Sequence, residues 1–287
     1  MKIYIICDIE GIAGVVFYCM NSNTLQAHDL EMRNRTLMTE EVNAAARGAF
    51  NAGADEVYVH DHHGVGYNIL PELLDERTML IHGRNEQGML IDSLHPGLDE
   101  SFDAVILLGM HAKTGTLEAG TPHSLITVET DSGNTYELGE AGNNAAFAGS
   151  FGVPAILCSG DEAVCHEISE HIPKIHKYQT KKHFASQLAC TKAPGKVRKE
   201  LEDSAKTAIL QRNEIPPFII NGKCKVQISD RNPSKKWPIN ALEQDSYREA
   251  LIHTCKNVPW RKQATEIDDG WRFPDRMEQA PPNPEWN

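Results

Sequence analysis

A chain of 287 residues can bury at least one sizeable core, and 40% hydrophobic with 24% charged residues is a globular composition rather than a disordered or fibrous one. The net charge of −12 argues against nucleic acid, because phosphate affinity needs concentrated positive charge and the nearest basic candidates, Lys181-Lys182 and Lys235-Lys236, read as solvated surface. No run approaches the ~20 apolar residues that span a bilayer, and Met1-Lys2 leads into a strand-like run without signal-peptide architecture, so neither a membrane nor secretion is expected.

In chain order, Lys2–Cys7 (KIYIIC) is a short apolar run that fits a buried strand. Glu31–Asn51 carries helical spacing through Met38, Val42, Ala45, Ala46, Ala49 and Phe50, with Gly53 as its stop. Glu56–Val59 and Ala104–Leu108 read as further buried strands. Ile126–Val128 and Thr135–Leu138, joined through Asp131-Ser132-Gly133-Asn134, read as a hairpin. Ala141–Phe151 is a small-residue helix and Ala155–Cys158 another strand. Alternating strands and helices predict an α/β fold with a largely parallel sheet flanked by helices. The second half is less regular: a helix from near Pro194 with Val197, Leu201, Ala205, Ala208 and Ile209 on one face, and a strand at Val226–Ile228. The expected division is a metal-binding catalytic domain over 1–190, a smaller α+β part over 191–256, and a polar tail over 257–287 that holds Trp260, Trp271 and Trp286. Seven cysteines, an odd count without a C-x-x-C pair, argue against a disulfide framework and against a thiolate zinc site. With Cys7 and Cys158 in apolar runs, a reducing, cytoplasmic setting is the expectation.

Functional residues of open α/β sheets lie just beyond the carboxyl ends of the strands. The first strand is followed by Asp8-Ile9-Glu10-Gly11, the second by His60-Asp61-His62-His63-Gly64, and the third by Gly109-Met110-His111. The hairpin is followed by Gly139-Glu140-Ala141-Gly142. Four segments thus bring carboxylate or imidazole to one expected edge. Mixed oxygen and nitrogen donors suit Zn²⁺, or more loosely Mn²⁺ or Co²⁺, and an open site of that kind activates water. Each element alone has a plainer meaning. A D-x-E after a strand is commonly a turn or helix cap, His60–His63 a solvated loop, His111 a hydrogen-bonded histidine, and Glu140 a first-turn carboxylate stabilised by the helix dipole. Their joint placement favours the metal.

The runs IYIICDIEGIAG, MTEEVNAAARGAFNAGADEVYVHDHHG, GMHA, PHS at Pro122–Ser124 and GEAGNNAAFAG from Gly139 occur in that order. Together they resemble the dinuclear zinc D-aminopeptidase family of the dipeptide-transport type, over roughly residues 1–165 and through PAILCSGDEA. The resemblance implies an α/β subunit, two zinc ions per subunit, a homo-oligomer, and release of the N-terminal residue of short peptides that begin with a D-amino acid. Residue by residue, it places Asp8 as the carboxylate bridging both ions, Glu10 as a ligand of one, and His63, through V-x-D-x-H on Val59, Asp61 and His63, as another. His111 and Glu140 complete the ligands, and His60 and His62 are read as neighbours. His123 falls where the family's catalytic histidine lies. From chemistry alone it could be a base, a leaving-group acid, an oxyanion stabiliser or a loop histidine. After about residue 190 the family's motifs are not found, ISDRNPSKKWPINALEQD included. Against a metallopeptidase stands a non-catalytic peptide- or ligand-binding protein that keeps the fold; metal content and release of amino acid from D-Ala dipeptides distinguish the two.

Overall fold

The structure is a computed structural model that describes residues 1–16, 25–64, 66–83, 94–229 and 241–256. The expected tail at 257–287, Lys235-Lys236 and Cys19 lie outside the described residues.

Three strands form the buried centre: β1 (Lys2–Cys7), β2 (Glu56–Asp61), and, further along the chain, the strand Ala104–Met110. Lys2–Cys7 and Ala104–Met110 are apolar runs rather than alternating patterns because helices cover both faces of a parallel sheet. Between β2 and that strand lies the short β3 (Thr78–Ile81), so Ala104–Met110 is β4. Next come a hairpin, β5 (Leu125–Thr130) and β6 (Thr135–Leu138), then β7 (Ala155–Asp161), β8 (His176–Ala185), β9 (Leu188–Thr191) and β10 (Cys224–Ser229). Seven strands form one sheet in the order β3-β2-β1-β4-β7-β8-β9, parallel except for the antiparallel β9. The expected hairpin is present, and β10 joins it in a three-stranded antiparallel sheet, β10-β5-β6.

Helices α1 (Leu25–Asn51), α2 (Glu140–Gly149), α3 (Glu162–His171), α4 (Pro194–Leu210) and α5 (Tyr247–Lys256) complete the described elements. α1 ends where expected, with Gly53 in the left-handed region at φ +91. α4 begins at Pro194, whose missing N–H costs nothing in a first turn, and buries the face Val197, Leu201, Ala205, Ala208 and Ile209. Its contact with α1 is close: a Cβ on Gly48 would lie 2.4 Å from the Glu202 carbonyl oxygen. α5 is tied to β10 by Thr254 Oγ1, which donates to Val226 O at 2.8 Å, and to α2 by Tyr247 OH, which donates to Asn143 Oδ1 at 2.7 Å.

Register places the site. Cys7 of β1 is level with Asp61 of β2 and with Leu108 of β4, so the residues that follow the three strands emerge at one edge. β2 and β3 extend from β1 to one side, and β4, β7 and β8 to the other. The order in which strands are added therefore reverses between β1 and β4, where open α/β sheets form a crevice. Among the described residues every cysteine is free, Cys7 and Cys158 are buried in the core as expected, and no helix is long and apolar enough to cross a membrane.

Candidate metal centre

The loop after β1 crosses the end of β4 at backbone distance. Asp8 N donates to Leu108 O at 2.9 Å and Gly11 N to Gly109 O at 2.8 Å. A Cβ on Gly109, which has φ +68, would lie 2.3 Å from Asp8 O, and one on Gly11 would lie 2.2 Å from Met110 O. This crossing turns Asp8 and Glu10 toward His111. From beneath, the Lys181 ammonium donates to the carbonyls of Glu10, Ile12 (2.9 Å) and Val15. The surface reading of Lys181-Lys182 is thereby corrected for Lys181, which is 2% exposed because backbone carbonyls replace its water.

The six residues singled out from the sequence come together. Asp8, Glu10 and His63 form one group of ligand atoms within 4.8 Å, and His111, His123 and Glu140 form another. His111 Nε2 joins them, 3.5 Å from Asp8 Oδ2 and 3.4 Å from Glu140 Oε1. His63 Nε2 lies 3.4 Å from Glu10 Oε1, and His123 Nε2 lies 3.6 Å from Glu140 Oε1. Each imidazole is anchored by its other nitrogen. His63 Nδ1 faces Asn68 Oδ1 at 3.2 Å, His111 Nδ1 faces Ala112 O at 2.9 Å, and His123 Nδ1 faces Thr121 O at 2.9 Å. An oxygen acceptor at Nδ1 requires the proton there, so the Nε2 directed at the carboxylates is the atom left to take a second proton or a metal, the arrangement that orients metal-binding histidines.

Charge balance points the same way. Three carboxylates share a site that is nearly dry at Asp8 and Glu10. Burial raises the Asp8 carboxyl well above its usual range, and the neighbouring Glu10 charge adds to that. Burial would raise Glu10 too, but His63 and His111 outweigh it and hold that carboxyl well below its usual value. Burial lowers His63, yet the Glu10 and Asp8 charges push it up to about 10. Asp8 Oδ2, Glu10 Oε2 and His111 Nε2 are buried without a hydrogen-bond partner among the described residues. Buried polar atoms in that condition are costly, and a cation accepting their lone pairs satisfies all three. The residues present therefore fit a divalent metal with mixed oxygen and nitrogen donors.

Several supporting contacts were not read from the sequence, although Asp61 and Ser124 lie in its quoted motifs. Asp61 accepts from Asn68 N (2.6 Å), Asn68 Nδ2 (2.8 Å) and Ile69 N (2.9 Å), while Asn68 Nδ2 also reaches His63 O at 2.7 Å. This knot sets the His63 loop. Ser124 Oγ donates to Glu140 Oε1 at 2.7 Å. Asp161 caps α3 through Val164 N and also accepts from Gly120 N at 2.9 Å, holding the loop that carries His123. In that loop Thr121 (φ 46) and Ser124 (φ 59) occupy the left-handed region on either side of His123. Strain of this kind persists only where the surroundings impose it. His60 and His62, read as neighbours of the ligand, group with His95 rather than with these six residues.

A doubly wound parallel sheet with a buried carboxylate–imidazole cluster in its switch-point crevice is the build of a metallohydrolase. The sequence model of the peptidase M55 family, described as D-aminopeptidase, matches residues 1–237. The chain belongs to this family of D-aminopeptidases, and the expected metal-dependent aminopeptidase is borne out at that level. The match continues well beyond residue 165, where the recognisable motifs stop, so the apparent divergence of the second half is partly corrected. A D-aminopeptidase of Bacillus subtilis (strain 168) is 29% identical over 218 residues, 76% of this chain and 77% of that one. A solved structure described as the Zn-dependent D-aminopeptidase DppA from Bacillus subtilis, a self-compartmentalizing protease, aligns with TM-score 0.72 at 23% identity, over 98% of this chain and 99% of that one. That likeness bears out the expected fold, and nothing in these relatives favours a non-catalytic binder.

Proposed function

We propose that this chain is a zinc aminopeptidase that removes the N-terminal D-residue of short peptides. In this reading two ions per subunit are held by Asp8 as the bridge, Glu10, His63, His111 and Glu140. The observation that carries it is the set of three histidines anchored through Nδ1 with Nε2 directed at the carboxylates of Glu10, Asp8 and Glu140. Bound zinc polarises a carbonyl and brings the pKa of water down toward ~7. The protein's own residues do the rest. Ser124 orients Glu140, and the Asp61–Asn68 knot orients His63. His123 is 22% exposed, so a peptide can reach it, and its ring stacks on His111 at 3.9 Å between centroids and 13° between planes. With its proton at Nδ1 held by Thr121 O, Nε2 is the atom that takes a proton from the attacking water and returns it to the leaving amine. The likeness to a self-compartmentalizing protease supports a homo-oligomer. A cytoplasmic setting is in keeping with free cysteines. The division at about residue 190 belongs to the same proposal, with β10 of the smaller part completing the β5–β6 sheet. The test is hydrolysis of D-Ala-D-Ala and L-Ala-L-Ala by chelated and zinc-reloaded protein. Zinc-restored release of D-alanine supports the reading; equal indifference to metal and stereochemistry sinks it.

A further inference from the structure

A second cluster of imidazoles lies outside the centre described above. His60 at the end of β2, His62 just after it, and His95 between β3 and β4 present ring nitrogens within 4.8 Å of one another. His60 and His95 are buried and His62 is half-buried. Among the described residues no carboxylate or thiolate belongs to the group. His60 Nδ1 and His95 Nδ1 are 3.1 Å apart.

The hydrogen-bond chain behind His95 determines which of its nitrogens carries the proton. Tyr247 OH donates to Asn143 Oδ1 at 2.7 Å, so the Asn143 amide presents Nδ2 to Asn144 Oδ1, 3.5 Å away. That same Asn144 oxygen faces His95 Nε2 at 3.2 Å and is an acceptor. With Nε2 as the donor to that oxygen, His95 Nδ1 is the acceptor in its 3.1 Å contact with His60 Nδ1. A buried amide oxygen that fixes the tautomer from behind is the support that metal-binding histidines receive. Burial, followed by the proximity of His62, holds His60 and His95 well below the ordinary histidine pKa, in the neutral form that ligates. Two nitrogens on a tetrahedral ion with bonds of ~2.0–2.1 Å lie roughly 3.3 Å apart, close to the spacing observed.

We propose that His60, His62 and His95 form a further metal site, an all-imidazole one that takes a zinc-like divalent ion separate from the carboxylate-bridged pair. Three nitrogen donors without oxygen select a borderline ion such as Zn²⁺ over Mg²⁺ or Ca²⁺. His60 and His95 supply the fixed side of the site, and rotation of the half-buried His62 closes it. The ion's role is structural: it ties the end of β2 to the segment around His95, which is packed on α2 through Phe147 and Asn144. The site does not depend on the ligand assignments of the catalytic centre.

The experiment is metal analysis of the untagged full chain, equilibrated with Zn²⁺ and desalted, for the parent and for His95→Gln, His62→Asn and His63→Ala. One zinc fewer in His95→Gln than in the parent, with the remaining zinc retained, is the expected result. His62→Asn, at a half-buried position where folding is little affected, should lose the same single ion and decides the matter if His95→Gln does not fold. His63→Ala should lose zinc from the catalytic centre while a His95-dependent ion stays. Parent-level zinc in folded His95→Gln or His62→Asn overturns the site, leaving a hydrogen-bonded histidine cluster. Unchanged zinc in His63→Ala overturns the catalytic ligand set instead, so the two readings fail separately.

Discussion

Asp8 and His123 belong to different groups of the candidate centre and should fail differently. Asp8 stands between the two ligand groups, so Asp8→Ala removes the link from both and is expected to abolish activity together with bound metal, read by metal analysis. His63→Ala should lower both as well, whereas His62→Asn should leave the catalytic ions in place. His123→Ala, by contrast, should retain its metals and lose turnover by about 10²–10⁴, with KM changed less than kcat. Loss of metal from that variant would make His123 a ligand. Glu41 supplies a prediction away from the centre. It is buried, accepts from Ala13 N at 2.8 Å, and faces the cations Lys181 and Arg198. Burial outweighs these and raises its carboxyl from 4.5 to about 7. Between those values the native state keeps a proton that the unfolded chain has lost, so stability falls as pH rises through the window, by on the order of 3 kcal/mol. Glu41→Gln should remove that part of the slope and melt above the parent at neutral pH. Parallel Tm–pH curves for the two proteins would refute it. At this scale the sequence was a good guide where a motif put the residue at a strand end. The supporting roles of Asn68, Ser124, Asp161 and Lys181 were not read because they depend on partners from other segments, and Lys181 carries a charge that ordinarily means surface.

Among the elements, legibility followed burial. β1, β4 and β7 are buried along nearly their whole length, so each stands out as an apolar run. β8 alternates between buried and exposed positions and reads HKYQTKKHFA, and its buried Lys181 and His183 disguise the pattern. α5 and α3 are short and amphipathic, with charged exposed faces, and neither offered a long periodic stretch. Glu140 was placed correctly because it opens α2 at the end of the hairpin, where its charge meets the helix N-terminus. The β1–β4 crossing yields a test of how tightly the site is built. Gly109 and Gly133 both have positive φ, but only Gly109 faces the backbone of another segment, while Gly133 has nothing within 4 Å of its would-be Cβ. Gly133→Ala should cost about 1–2 kcal/mol from conformation alone. Gly109→Ala should cost several times more and displace Asp8, with denaturation midpoints and metal content as the measurements. Equal effects at the two positions would mean that the crossing can relax.

On the scale of the whole molecule, bound zinc and folding should reinforce one another. An ion that binds only the native state stabilises it by about 2.7 kcal/mol at a hundred times its dissociation constant, so removal by a chelator should lower Tm and readdition restore it. A Tm indifferent to chelation would mean that these carboxylates are reconciled without metal. The spread of the proposed ligands along the chain has a consequence for how the protein is made. Asp8 and Glu140 are about 130 residues apart, and at ~5–20 residues per second a ribosome needs roughly 7–26 s to pass from one to the other. Within that interval His63 and His111 are added in turn, and only at its end does Glu140 complete the proposed set. Asp8 and Glu10 become neighbours of His63 and His111 only when β1 is flanked by β2 and β4. On the proposed ligand set, metal loading is therefore expected after the sheet has assembled.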